Sequence, residues 1–125
     1  MPDEPRQIVA VVDDDEAVRE SLRFLLETAG FIVATFGSAD AFLTTKALNN
    51  VACVLLDQHM PNVTGLEALR RLRARLPEIP VALMTGSPTP ETTRRALELG
   101  ATEVLEKPLA EHALLRFVEH AIRSA

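Results

Sequence analysis

At 125 residues and a formal net charge of −5, the chain is long enough to bury about two thirds of its unfolded surface, and its acidity argues against a surface built to hold nucleic acid. With 47% hydrophobic and 25% charged residues it has the balance of a folded globular protein, which excludes a disordered chain. The single cysteine, Cys53, excludes an internal disulfide, suits a reducing cytoplasm and reads as a small buried apolar residue.

The chain opens on Met1-Pro2-Asp3-Glu4-Pro5, an acidic, Pro-rich stretch without the pattern of a secretory signal. No apolar run approaches the roughly 18 residues that span a bilayer. A cytoplasmic domain without a membrane partner is expected. Ile8 to Val12 is a continuous β-branched, apolar run bounded by acids, the pattern of a strand buried on both faces. Val18, Leu22, Leu25, Leu26 and Ala29 then fall at helical spacing, and Gly30 stands where a helix end favours a left-handed residue. Phe31 to Phe36 reads as a second strand, and Ala39 to Leu48 as a helix behind Ser38.

Val51 to Leu56 is a third strand that stops on Asp57. Asn62-Val63-Thr64 fits a glycosylation pattern but reads more simply as a turn. Thr64 and Glu67 form a capping box before Leu66, Leu69, Leu72 and Leu76 on one helical face, which Pro77 and Pro80 end. A fourth strand covers Val81 to Met84. A helix beginning at Pro90 behind Thr89 runs to Gly100. Thr102 to Glu106 is a fifth strand, and Leu114, Phe117, Val118, Ala121 and Ile122 mark a last helix.

Five strands alternating with five helices predict parallel pairing through right-handed crossovers: an α/β, doubly wound five-stranded sheet with helices on both faces. Without a repeat or an interdomain linker, the expectation is one domain over 1–125, ordered over about 7–123. In such sheets ligands bind outside the carboxyl ends of the strands, where strand order reverses. Strand one here ends on Asp13-Asp14-Asp15, strand three on Asp57, strand four on Thr85 and strand five on Lys107. Each residue alone has an ordinary explanation: a helix cap for Asp15, a turn residue for Asp57, a solvated Lys107. With order 2-1-3-4-5, however, three acids, a hydroxyl and an ammonium share one rim. Clustered carboxylates raise one another's pKa unless a cation intervenes, and a hard oxygen cluster suits Mg²⁺. Mg²⁺ and Lys107 would neutralise a phosphoryl group while Asp57 attacks it to form an acyl phosphate.

The stretches "VVDDDE" (11–16), "LLDQHMPNVTGLEAL" (55–69), "MTG" (84–86) and "EKP" (106–108) are similar, as an ordered set, to the receiver domain of bacterial two-component response regulators. "VRESLRFLLETAGF" and "SADAFL" further resemble the nitrogen-fixation regulator subfamily. The resemblance implies the flavodoxin-like form of this fold and a cytoplasmic phosphorelay domain rather than an enzyme on an external substrate. Its partner would be a sensor histidine kinase or phosphotransfer protein, with homodimerisation on phosphorylation and no nucleic acid bound by the domain itself. Asp57 would be the phosphoacceptor, Asp13 and Asp14 the acidic pair with Asp14 the direct Mg²⁺ ligand, and His59 a ligand through its backbone carbonyl. Thr85 would be the switch hydroxyl, Lys107 the phosphate-binding lysine and Lys107–Pro108 a cis bond.

Three positions depart from the family pattern. Gln58 replaces an aliphatic residue, His59 puts an imidazole at the pocket edge, and Val104 stands where an aromatic ring ordinarily follows the switch hydroxyl. Two alternatives follow. A degenerate receiver would bind proteins without phosphorylation. An aspartate-nucleophile phosphatase would want a general-acid Asp two residues after Asp57, where His59 stands.

Overall fold

A computed structural model describes residues 6–124; the Pro-rich opening stretch, Met1 to Pro5, lies outside the described residues. Strands β1 (Ile8–Val12), β2 (Ile32–Phe36), β3 (Val51–Asp57), β4 (Val81–Thr85) and β5 (Glu103–Glu106) alternate with helices α1 (Glu16–Thr28), α2 (Ala39–Leu43), α3 (Gly65–Arg75), α4 (Pro90–Glu98) and α5 (Glu111–Ser124). All pairings are parallel, as the alternating pattern predicts, and the order is β2-β1-β3-β4-β5, that of the flavodoxin-like form the resemblance implies.

The two faces of the sheet carry separate cores because successive strand residues point opposite ways. Ala10, Val12, Val54, Leu56, Val81 and Leu83 face α2, α3 and α4, meeting Phe42, Leu69, Leu72 and Ala96. Val9, Val11, Cys53, Leu55, Ala82 and Met84 face α1 and α5, meeting Leu22, Leu26, Leu114, Phe117 and Val118. Cys53 is accordingly a buried filler, and burial pushes its thiol pKa up to about 12. No helix among the described residues is long and apolar enough to cross a membrane.

Helix starts follow the capping chemistry. Asp15 accepts from the N–H groups of Ala17 and Val18, Thr89 from that of Thr92, and Thr64 from that of Glu67. Only the Thr64 half of the expected capping box is formed this way. The Glu67 carboxylate turns instead to Arg70 and Arg71 one turn on.

The helix expected over Ala39–Leu48 ends at Leu43. Two β-branched residues stop it. The Thr44 hydroxyl turns back to the Asp40 carbonyl at 2.7 Å, and the Thr45 hydroxyl accepts from the Ala47 N–H at 3.4 Å, so local bonds replace the helical ladder. Leu48 is still buried, but through a 3₁₀ turn over Leu48–Asn50. The guanidinium of Arg75 donates to the Leu43 carbonyl and satisfies an oxygen that the early stop exposes.

Candidate functional site

The carboxyl ends of β1, β3, β4 and β5 meet at one rim, and the described geometry brings the predicted residues together there. Strand β3 runs one residue further than the apolar pattern suggests, so Asp57 is itself the last strand residue and pairs with Met84. Its neighbours fix it from both sides. The Gln58 N–H donates to the Met84 carbonyl at 2.9 Å, and the Gly65 N–H returns to the Gln58 carbonyl at 3.0 Å. The side-chain oxygen of Gln58 also accepts from the Leu66 N–H at 2.9 Å. The departure at position 58 is thereby explained: an amide here caps the start of α3 and closes the loop that carries His59. An aliphatic residue cannot do that.

Asp13 is fully buried. Its Oδ1 accepts from the Asp15 N–H at 2.9 Å, its Oδ2 binds Lys107 Nζ at 2.8 Å, and its carbonyl accepts from Arg19 at 2.8 Å. Asp57 is 2% exposed; its Oδ1 lies 3.1 Å from Lys107 Nζ and 3.4 Å from the His59 N–H. Asp14 is exposed at the lip, and one oxygen from each of Asp13, Asp14 and Asp57 falls within 4.8 Å of the others. Lys107 precedes a cis bond to Pro108, as the resemblance implied, and its ammonium bridges Asp13 and Asp57.

Burial raises the Asp57 pKa above the ordinary carboxylate value; the Lys107 hydrogen bond opposes that, and the nearby Asp13 charge adds to it. For Lys107, burial would lower the pKa, but its hydrogen bonds to Asp13 and Asp57 outweigh burial and raise it. The ammonium is thereby held in its charged form, while burial works against the charge on Asp57. Such a carboxylate is poised to react with, or be neutralised by, an electrophile or a cation.

Three oxygen donors of like charge at this spacing fit a hard divalent cation, and the absence of any sulfur or imidazole nitrogen from the set argues against zinc. Thr85 closes the rim. The residue is buried, and its hydroxyl accepts from the Ser87 N–H at 3.2 Å and lies 3.3 Å from His59 Nε2. That last contact escaped the sequence, which places an imidazole near the pocket but not its partner. Arg19 on the Asp13 carbonyl was missed as well; a solvated basic residue on α1 carries no signal of it.

The family model for the response regulator receiver domain matches residues 9–119. The transcriptional regulatory protein FixJ of Bradyrhizobium diazoefficiens is 41% identical over 117 residues, covering 94% of this chain and 57% of that protein. FixJ of Azorhizobium caulinodans is 42% identical over 118 residues, 94% of this chain and 56% of that protein. The chain thus spans a little over half the length of these relatives. Among solved structures, the response regulator StyR superposes with a TM-score of 0.84 at 41% identity, covering 93% of this chain and 59% of that one. The chemotaxis protein CheY4 of Vibrio cholerae gives a TM-score of 0.82 at 27% identity, covering 92% and 98%. The matched span holds every rim residue from Asp13 to Lys107, so site, sheet order and sequence agree: the chain belongs to the response regulator receiver domain family, on its nitrogen-fixation regulator side.

Proposed function

We propose that Asp57 accepts a phosphoryl group from a histidine kinase or phosphotransfer protein, with Mg²⁺ as cofactor. The observation that carries this reading is Lys107 Nζ bridging Asp57 Oδ1 and Asp13 Oδ2 at the lip of a three-carboxylate cluster. With Oδ1 tethered, Asp57 Oδ2 is the attacking atom. Its lone pair forms the new O–P bond as the bond from phosphorus to the donor breaks, and the donor nitrogen keeps that electron pair. Bound Mg²⁺ would neutralise charge on the transferring oxygens.

Asp14, the His59 carbonyl and a carboxylate oxygen of Asp57 would hold the ion, with Asp13 behind them. Asp13 suits that supporting place because both its oxygens already have donors. Lys107 stays on the product's oxygens as a mobile point charge, where an Arg would impose a fixed fork. The Thr85 hydroxyl donates to the phosphoryl group and so reads its arrival.

On this reading residues 1–125 are one cytoplasmic receiver unit, a signalling module that promotes only its own phosphorylation and dephosphorylation. Its phosphorylated form pairs with a second copy. The FixJ relatives are transcriptional regulators, so in a longer protein the domain would control such an output without touching nucleic acid itself. Intact-mass measurement after incubation with acetyl phosphate and Mg²⁺ tests the assignment. One added phosphoryl group is expected on the wild type and none on Asp57→Asn, while Asp14→Ala weakens Mg²⁺ binding. Equal labelling of wild type and Asp57→Asn would refute it.

A further inference from the structure

Thr85 has one hydroxyl proton to give, and its donor count shows where that proton rests. The Ser87 N–H already donates into Oγ1. Thr85 is 1% exposed, so bulk water is no ready acceptor. Among the described residues the one acceptor within reach is His59 Nε2, at 3.3 Å. A buried hydroxyl proton without an acceptor is unfavourable, so the Thr85 hydroxyl rests against the Nε2 edge of the His59 ring.

The geometry points to His59 as a positioning residue: its ring holds the Thr85 hydroxyl in the unphosphorylated protein, and a phosphoryl group on Asp57 must take that hydroxyl from it. This rests on the phosphoacceptor reading of Asp57 and adds a competitor to it. Two features make the competition physical. The proton can be donated to imidazole nitrogen or to phosphoryl oxygen, but not to both. His59 is exposed, so its ring can turn to solvent once released, and its own polar atoms are then satisfied by water. His59 also sits two residues after Asp57 in the loop that Gln58 pins at its base, so the latch and the acceptor share one rigid support. The switch is thereby biased toward its resting state by one hydrogen bond.

Calorimetric titration of beryllofluoride, a phosphoryl mimic, into the metal-saturated protein reads the competition directly. His59→Ala is expected to bind it about three- to tenfold more tightly than wild type, the net worth of one such bond. His59→Gln, whose amide can accept at the position of Nε2, is expected to return the affinity to within about twofold of wild type. In a Thr85→Ala background the gain from His59→Ala disappears, which a general loosening of the loop would not produce. An unchanged or weaker affinity in His59→Ala, or the same gain in the Thr85→Ala background, overturns the latch alone. Failure of the wild type to bind beryllofluoride at all refutes the phosphoacceptor reading and the latch with it.

Discussion

Gly65 gives the sharpest mechanical test of how the fold aims Asp57. A Cβ at this position would lie 2.5 Å from the Asp57 carbonyl oxygen, 2.7 Å from Leu83 Cδ1 and 2.8 Å from Gln58 Cα. Ordinary contact begins near 3.4 Å, so Gly65→Ala leaves the start of α3 and the end of β3 about 0.9 Å too close. Leu83 can shift its methyl group. Asp57 and Gln58 present main chain, held by the Gln58-to-Met84 and Gly65-to-Gln58 hydrogen bonds, and cannot. Overpacking of this kind costs about 1–3 kcal/mol, and the better helix propensity of Ala returns up to about 1 kcal/mol. The net loss is about 1–2 kcal/mol, or about 4–8 °C in Tm for a chain of this length. Because the displaced atoms carry the nucleophile, the initial rate of labelling by acetyl phosphate should also fall about tenfold or more. Gly86→Ala is the control: its Cβ would meet nothing within 4 Å, so its Tm should stay within about 2 °C of wild type. Thermal melting followed by circular dichroism, with intact-mass labelling on the same samples, makes the measurement. A Gly65→Ala protein that melts with the wild type and labels at its rate would refute the claim that this close approach sets the geometry.

Gln58→Leu should lose about 1 kcal/mol, the worth of a helix cap, because the Leu66 N–H is left without its side-chain acceptor; urea unfolding measures it, and an unchanged midpoint counts against the cap. The Glu67 pKa is lowered to about 2 by hydrogen bonds from Arg70 and Arg71. A depressed carboxylate contributes stability above its unfolded value of 4.5 that is lost as the pH falls toward 2. Unfolding midpoints of wild type and Glu67→Gln should therefore differ most above pH 4.5 and converge toward pH 2, by an amount that added salt reduces; parallel curves would contradict the pairing. Cys53, buried and with its thiol pKa near 12, should resist a thiol reagent in the native protein and react on unfolding. Finally, activation should displace the backbone over Gly86–Pro90 while Val104 keeps its rotamer. Structures with and without a phosphoryl mimic decide this, and a still loop beside a reoriented Val104 is the contrary result.

How much of this was legible in the sequence varies with the range of the interaction. The strands and their parallel pairing follow from apolar runs spaced by amphipathic helices, because burial on both faces of a parallel sheet leaves little freedom in composition, whereas their order came with the family resemblance. Site membership was legible for a related reason: polar residues that end four apolar strands can go nowhere but one rim. The second helix was misjudged because the apolar pattern continues through Leu48 while the backbone is stopped by two threonine hydroxyls, whose preference for local bonds an apolar pattern does not register. The Glu67 carboxylate shows the same limit on a smaller scale. A capping box and an Arg-rich helical face compete for one side chain, and here the arginines win. Gln58 and His59 were recognised as departures, but their partners, Leu66 and Thr85, depend on the path of a loop that passes through Asn62 at φ 72°. Spacing alone does not contain that path.

The run Asp13-Asp14-Asp15 shows why the identity of a residue underdetermines its role even at a recognised site. The three carboxylates are adjacent and chemically alike, yet the end of β1 and the start of α1 send them to different places. Asp15 faces the first turn of α1 and satisfies its N–H groups, an ordinary structural task. Asp13 is buried behind the end of β1, where its carboxylate is paired with Lys107. Asp14 is left at the lip, exposed, completing the cluster with Asp57. At the pocket, Asp13, Asp14 and Asp57 set three carboxylates against the one ammonium of Lys107, an excess of two negative charges in a partly desolvated space. Removing Lys107 would strand Asp13 without its charged partner, whereas removing Asp14 relieves repulsion and should leave the fold intact. The same pocket is therefore structurally dependent on its cation and electrostatically receptive to another. A receiver site needs both properties: it holds its nucleophile rigidly and has room for the positive charge that phosphoryl transfer requires.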